Sequence, residues 1–281
     1  MRLGGYQAMQ HCLSTHLFLK ERLHPGLLDL AERSGAQAVE IFAARQHFDY
    51  TSREHVHEIA AWFASSPVFP WSMHAPLFPD YEMGRAGAPM VNLIHPDKSH
   101  RIDAMDEVKR ALETAEYLHF HNLVVHLGDK EDTWSPRTLE HGLTALEHLD
   151  AFATPLGVRI LAENLTSDPT TPEHLIQILN AGHLDRIGVC LDLGHANITV
   201  GIREAILTLG PRIGSLHVHD NNGFRDEHLW PGQGSIDWPA TFDLLAKHAS
   251  VPVAVLEIAK TLDDTHPVLE ARIRDAFALL P

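Results

Sequence analysis

Short apolar runs recur along the chain and alternate with amphipathic segments, and this alternation predicts the order of the elements. Eight runs are almost continuously apolar, which is typical of strands buried on both faces of a parallel sheet. They cover residues 3–8, 38–43, 69–75, 123–128, 159–165, 188–195, 213–220 and 253–258. We therefore predict eight parallel strands.

The segments between these runs have the periodicity of helices. In segment 98–118, apolar residues recur at positions 102, 105, 108, 112 and 115, which place them on one helical face. Segments 135–153 and 171–182 begin with Ser135-Pro136 and Thr171-Pro172. A capping side chain followed by proline at the first helical position is a common helix start.

Eight strand–helix repeats in 281 residues close most naturally into an α/β (β/α)8 TIM barrel. No linker or abrupt change of composition divides the chain, so we predict one domain over residues 1–281. A doubly wound open sheet is the alternative. It is disfavoured because no G-x-G-x-x-G follows the first run.

The composition is that of a soluble protein, with 44% hydrophobic and 21% charged residues. No apolar run approaches the roughly 18 residues that cross a bilayer, and the N-terminus lacks the layout of a signal peptide. The only two cysteines are Cys12 and Cys190, too few for a disulfide framework. We expect a cytoplasmic protein with no membrane partner, in which Cys190 belongs to the core.

Charge and histidine content bear on the class of ligand. The net charge of −15 weakly disfavours nucleic acid, whose phosphates usually meet a basic surface, although bound divalent cations would offset it locally. The 22 histidines equal lysine and arginine combined. We expect most of them to be surface residues and a minority to bind metal.

Metal-ligating residue types stand at the ends of six consecutive predicted strands. They are His74, His126, Glu163, Asp192 with His195, His217 with His219, and Glu257. A single such residue is more often a helix cap or a satisfied polar group. In a barrel, however, all of these strand ends meet at the C-terminal mouth, where unbalanced acids would be costly. Bound divalent ions would balance the charge of these acids. The mixture of imidazole and carboxylate ligands suits zinc or manganese, and also iron or cobalt.

The ordered motifs HAP, VVHLG, AEN, LDLGH, LHVHD, DEH and LEI resemble those of the xylose isomerase-like TIM-barrel superfamily, from about residue 25 to 260. This superfamily unites sugar isomerases and epimerases with apurinic endonucleases of the endonuclease IV type. The resemblance implies that Glu163, Asp192, His217 and Glu257 hold one divalent ion. It also implies that Glu163 and Glu257 exchange protons with a substrate carbon.

The endonuclease branch implies a larger metal set of nine ligands and three zinc ions. The matching groups here are His74, His126 and Glu163; Glu163, Asp192, His217 and Glu257; and His195, Asp226 and His228. We therefore expect one to three ions per chain. In a site with one ion, His195 would instead hydrogen-bond the substrate.

Other features favour the sugar branch. The stretch from 219 to 238 and the preceding LDLGHAN look most like isomerase or epimerase sequences. The loop after the third strand has one arginine, Arg85, and three candidate wedge residues, Leu77, Phe78 and Tyr81, which could equally form a lid over a sugar. We expect a metal-dependent isomerase or epimerase acting on a small sugar-like substrate. Alternatives are a phosphodiester hydrolase, for which nucleic acid would be the substrate, a lyase or dehydratase, and an inactive binding protein.

Several neighbouring residues complete the predicted site. Arg225 would grip a substrate phosphate or carboxylate, or else form a salt bridge on its loop. We expect His219 to face the helices, Trp238 to start a helix, and His11, His16 and His47 to be candidates for the border of the pocket. A homo-oligomer is compatible with the resemblance, since similar isomerases form dimers and tetramers.

Overall fold

The computed structural model describes residues 9–79, 89–261 and 264–281. Eight parallel strands form a closed barrel in chain order, and β8 pairs with β1. The strands are β1 Gln10–Ser14, β2 Ala38–Phe42, β3 Phe69–His74, β4 Asn122–Val125, β5 Arg159–Glu163, β6 Gly188–Asp192, β7 Ile213–Val218 and β8 Val253–Leu256. The predicted TIM barrel is confirmed.

Helices cover the outside of the barrel between consecutive strands. They are α1 Pro25–Arg33, α2 Arg53–Ser65, α3 Lys98–Leu112, α4 Pro136–Ala153, α5 Pro172–Ala181, α6 Leu193–Ile198, α7 Ile202–Leu209, α8 Trp238–His248 and α9 His266–Phe277. The predicted starts of α4 and α5 are confirmed, because Ser135 and Thr171 cap backbone amides with proline at the first position. Among the described helices, none is long and apolar enough to cross a membrane.

The prediction of the first strand was wrong in position. Residues 3–8 lie outside the described part of the chain, and the strand that opens the barrel is Gln10–Ser14. The sequence QHCLS is not continuously apolar, and two of its polar residues, His11 and Ser14, have tertiary partners. The His11 ring stacks on Phe277 at 4.7 Å, and the Ser14 hydroxyl donates to Glu40 inside the barrel. His11 therefore does not border the mouth.

The barrel interior changes from apolar to polar along its axis. One small cluster contains Cys12, Ala38, Val253 and Val255, and a second joins Val124, Leu161 and Cys190. Cys190 is therefore a core residue, as predicted. Two positions further along β5 and β6, the inward residues are Glu163 and Asp192, because alternate residues of a strand face the same side. The polar groups are thus concentrated at the carboxyl end of the barrel.

His47 joins the loops that follow β1 and β2. Its side chain is fully buried, and its Nδ1–H donates to the Glu21 carbonyl oxygen at 2.6 Å. Burial lowers its pKa to about 4, so the folded state keeps this imidazole neutral. Stability from the neutral ring is present above the unfolded pKa of about 6.5 and is lost as the pH falls through 4.

We predict that His47 makes the protein sensitive to mild acid. Between about pH 6.5 and pH 4, His47 binds a proton in the unfolded chain but not in the folded one, which should lower the unfolding free energy by up to about 3 kcal/mol. A His47→Gln variant should therefore lose less stability than the wild type over this range in urea unfolding. The exposed His248 supplies the control, since His248→Gln should follow the wild-type profile. Parallel profiles for His47→Gln and the wild type would contradict the prediction.

Candidate metal centre

The nine predicted ligands lie together at the carboxyl ends of the strands. Their side-chain donors fall into groups whose ligand atoms lie within 4.8 Å of one another. Three of these groups match the sets expected from the sequence. They are His74, His126 and Glu163; Glu163, Asp192, His217 and Glu257; and His195, Asp226 and His228.

The central group is arranged around one imidazole nitrogen of β7. His217 Nδ1 lies 3.2 Å from Glu163 Oε1, 3.3 Å from Glu257 Oε2 and 3.8 Å from Asp192 Oδ2. Ligands that bind one zinc ion at about 2.0–2.2 Å lie roughly 3–4 Å from each other. All four side chains are buried. The spacing and the donor types therefore fit one divalent ion.

Glu163 belongs to two groups, because its two oxygens face different sides. Oε1 approaches His217, while Oε2 lies 3.3 Å from His74 Nε2 and 3.0 Å from His126 Nε2. The His74 Nδ1–H donates to the Ala75 carbonyl oxygen at 2.8 Å, which leaves Nε2 free to act as a ligand. Glu163 would therefore contribute one oxygen to each of the two groups if both held an ion.

The third group lies on the loop side of the mouth. His195 Nε2 and His228 Nε2 approach the same oxygen, Asp226 Oδ2, at 3.2 and 3.1 Å. Their Nδ1 atoms donate to the carbonyl oxygens of Asn164 and Glu257. His228 has a φ of +47°, a left-handed conformation that is uncommon outside glycine and often occurs at functional sites. Both rings are therefore aimed by the backbone.

Asp192 acts as a helix cap and also belongs to the central group. Its Oδ1 accepts from the His195 backbone N–H at 2.6 Å, which caps α6. Asn164 follows β5, and its side-chain amide makes two hydrogen bonds to the backbone of Asp192. The amide N–H donates to the Asp192 carbonyl oxygen, and the amide oxygen accepts from the Asp192 N–H. Asp192 can therefore cap α6 through Oδ1 and still belong to the candidate ligand group through Oδ2.

The expectation that His219 faces the helices was wrong. Residues two apart in a strand face the same side, so His219 follows His217 into the mouth. Its Nε2 lies 3.0 Å from Asp192 Oδ2, and its ring stacks on His228 at 3.9 Å. The ring also lies against Gly194, where a Cβ would be 2.0 Å from His219 Cε1. Only glycine leaves room for this ring.

The loop that carries Asp226 and His228 is anchored by one buried carboxylate. Asp220 Oδ1 accepts from the backbone N–H groups of Asn221 and Ile236, and Oδ2 accepts from Gly232 N–H and Trp238 Nε1–H. Trp238 begins α8, as predicted, and ties the helix to the loop. Asp220 was not singled out from the sequence, because many acidic residues occur in polar loops.

Charges within the site shift the pKa values of the imidazoles. Burial alone lowers the pKa of His195, but the charge of Asp192 and a hydrogen bond to Asp226 raise it to about 10. The pKa of His228 is likewise lowered by burial and raised, to about 9, by Asp226 and Glu257. In the metal-free chain these rings therefore carry protons at neutral pH.

The pKa values of the carboxylates are shifted in the opposite direction. Burial alone raises the pKa of Glu257, but His217 and neighbouring imidazoles lower it to about 2. The pKa of Glu163 is lowered well below its usual range, chiefly by His217, despite its burial. Protons on imidazoles thus balance ionised carboxylates, and a divalent ion can replace such protons at the same positions.

The other residues predicted to lie near the site differ in their exposure and in their distance from the mouth. Arg225 is exposed and makes no ion pair among the described residues. His16 stacks on His228 at 5.0 Å, and its Nδ1–H donates to the Ile258 carbonyl oxygen. His16 therefore borders the mouth. Leu77 and Phe78 are half-buried, whereas Tyr81 and Arg85 lie outside the described residues.

The sequence model of the xylose isomerase-like TIM barrel family matches residues 28–277. An uncharacterized protein of Methanocaldococcus jannaschii, MJ1311, is 32% identical over 142 residues, which are 47% of this chain and 48% of that protein. The chain thus spans about half the length of this curated relative. A probable endonuclease 4 of Natronomonas pharaonis is 27% identical over 237 residues, which cover 76% of this chain and 79% of that protein.

Several solved structures share the fold of this chain. A D-tagatose 3-epimerase-like protein superposes with a TM-score of 0.74 at 25% identity, over 96% of this chain and 97% of that chain. An IolI protein with a bound zinc atom also has a TM-score of 0.74, at 21% identity, over 96% of this chain and 95% of that chain. At that lower identity, the second likeness shows the fold alone.

We predict that Asp220 is required to hold the loop at 220–238. Asp220→Ala would leave buried N–H donors without an acceptor, at a cost on the order of 3 kcal/mol of unfolding free energy. Amide exchange at residues 226–236 should also rise. Asp185→Ala is the control, because the Asp185 side chain is 87% exposed and its surface ion pair contributes little. Wild-type stability and exchange in Asp220→Ala would refute the prediction.

Proposed function

Because the chain belongs to the xylose isomerase-like TIM barrel family, we propose that it is a divalent-metal-dependent sugar isomerase or epimerase. It would act on a sugar, a sugar phosphate or a related keto-sugar by moving a proton next to a carbonyl group. The observation that supports this most directly is the pair of buried carboxylates, Glu163 and Glu257, which lie 3.2 and 3.3 Å from His217 Nδ1. The likeness to a D-tagatose 3-epimerase-like protein supports the substrate class.

The metal would be held by the central group of Glu163, Asp192, His217 and Glu257, whose spacing suits one ion. Zinc or manganese fits a set of one imidazole and three carboxylates. A divalent ion bound there supplies Lewis-acid stabilisation of negative charge on substrate oxygens. A structure of the same fold holds a zinc atom.

The proton transfer would be carried out by the two glutamates. One carboxylate takes the proton from the carbon beside the carbonyl, and the electron pair of the broken C–H bond moves toward the carbonyl oxygen. The other glutamate, protonated beforehand from solvent, returns a proton either to the opposite face of the same carbon or to the former carbonyl carbon, in which case the hydroxyl proton of the first carbon moves to the former carbonyl oxygen. The first outcome is epimerisation and the second is isomerisation.

His195 and Arg225 would position the substrate. The His195 ring is fixed through Nδ1 by the Asn164 carbonyl oxygen, so its Nε2 faces the mouth and can hydrogen-bond a substrate hydroxyl. Arg225 is exposed on the loop beside Asp226 without an ion-pair partner among the described residues. A free guanidinium at this position suits a phosphate or carboxylate on the substrate.

A three-zinc phosphodiester hydrolase is the second candidate. It is favoured by the two outer groups, in which His74 with His126 and His195 with His228 each converge on one carboxylate oxygen. The relative described as a probable endonuclease 4 points the same way. The net charge of −15 opposes a nucleic acid substrate, since phosphate contacts usually need a basic surface. We therefore favour the sugar enzyme.

We predict that the metal-loaded protein exchanges solvent deuterium into ketoses or keto-sugars at the carbon beside the carbonyl. Glu163→Gln and Glu257→Gln should each reduce this exchange by roughly 10²- to 10⁴-fold, because each removes an acid–base group. Exchange is read by mass spectrometry and proton NMR across a panel of sugars. The exposed Glu147 on α4 provides a control, Glu147→Gln, which should keep full exchange.

The same preparation should leave DNA with abasic sites intact. Cleavage of such DNA by the protein, without exchange into any sugar of the panel, would contradict the isomerase proposal and support the hydrolase. Full exchange activity in Glu163→Gln would contradict the proposed roles of the glutamates.

A further inference from the structure

Glu40 is a fully buried carboxylate in the barrel interior that belongs to none of the candidate ligand groups. It lies in the middle of β2, within the sequence AVEIF, whose five residues are all buried. Its two oxygens lie 3.1 and 3.2 Å from His217 Nε2. The opposite nitrogen of that ring, Nδ1, is the atom around which the central group is arranged.

Two serines hold Glu40 from the neighbouring strands. Ser14 on β1 and Ser72 on β3 are its direct partners in the strand register. The Ser14 hydroxyl donates to Oε1 at 3.1 Å, and the Ser72 hydroxyl donates to Oε2 at 2.7 Å. Each carboxylate oxygen of Glu40 therefore lies between a serine hydroxyl and His217 Nε2, which restricts rotation of the carboxylate.

His217 differs in its outer hydrogen bond from three other candidate ligands, His74, His195 and His228. His74, His195 and His228 each use Nδ1 to bind a backbone carbonyl oxygen and present Nε2 to the site. His217 is turned the other way and uses Nε2 to meet a carboxylate. A backbone carbonyl can only accept, and an ionised carboxylate likewise can only accept, so each outer nitrogen must carry the proton.

We propose that Glu40 is a positioning residue that keeps the proton of His217 on Nε2, so that the Nδ1 lone pair is available to a metal ion. This inference rests on the proposed function, because it concerns the same site. A carboxylate behind a metal-bound imidazole orients the ring and increases its basicity as a ligand. Glu40 would act through His217 and would not contact substrate.

The direct test compares metal affinity in wild type, Glu40→Gln and Cys12→Ala. The Glu40→Gln substitution retains the size of the side chain but removes the charge, and the new amide group can donate to Nε2 and shift the His217 proton onto Nδ1. We expect the zinc dissociation constant of Glu40→Gln, from chelator competition, to rise by roughly 10- to 100-fold. Cys12→Ala removes a different buried side chain inside the barrel and should bind zinc as the wild type does.

A second readout separates positioning from a general loss of structure. In protein with isotope-labelled histidine and a spin-active cadmium ion, His217 should show coupling of cadmium to Nδ1 and a proton on Nε2. Glu40→Gln should weaken the coupling and speed exchange of the Nε2 proton, while circular dichroism remains that of the folded wild type. A His217→Gln sample assigns the signal.

The outcomes distinguish failure of this proposal from failure of the proposed function. Equal zinc affinity in wild type and Glu40→Gln would overturn the positioning role and leave the metal site intact. Cadmium coupling to Nε2 in the wild type would also overturn it. A wild-type protein that binds no divalent metal would overturn the proposed function together with this inference.

Discussion

The concentration of buried carboxylates at one end of the barrel is the constraint on which the rest of the site depends. Glu163, Asp192 and Glu257 are all buried and meet around a single imidazole, His217. Several negative charges taken out of water are severely destabilising unless positive charge lies beside them. Protonated imidazoles supply that charge in the chain alone, and a divalent ion would supply it in the proposed metal-bound state. Charge balance thus links folding at the mouth to ligand binding.

The barrel separates its apolar core from the buried charged groups along its axis. Apolar residues such as Val124, Leu161 and Cys190 fill one level of the interior, so the closed sheet is stabilised without the polar groups. The strand ends can then carry acids and imidazoles whose outer atoms are held by backbone carbonyls, by Glu40 and by the Asp220-anchored loop. In the proposed reaction, such fixed orientation would favour rapid proton transfer, since the groups would need little rearrangement when charge develops.

The sequence was sufficient for the architecture because apolar runs follow periodic rules, whereas the grouping of the candidate ligands came from the resemblance to the family. Apolar runs located seven of the eight strands, and metal-type residues at strand ends located the mouth. The first strand was misplaced because Gln10 and His11 interrupt its apolar pattern, and the His11 ring meets Phe277 only in the folded chain. His219 was assigned to the wrong face by an error of register. Glu40 and Asp220 were missed because their partners, His217 and Trp238, are found only by closing the barrel, although a charged residue inside the apolar run AVEIF was a usable signal for Glu40.

The most direct test of the account is a crystal structure of manganese-loaded protein with an anomalous difference map. The account predicts an ion at the carboxyl end of the barrel, bound by carboxylate oxygens of Glu163, Asp192 and Glu257 and by Nδ1 of His217. A fully loaded crystal whose ion lies elsewhere, or is bound through His217 Nε2, would contradict the central claim that these buried charges form a metal site.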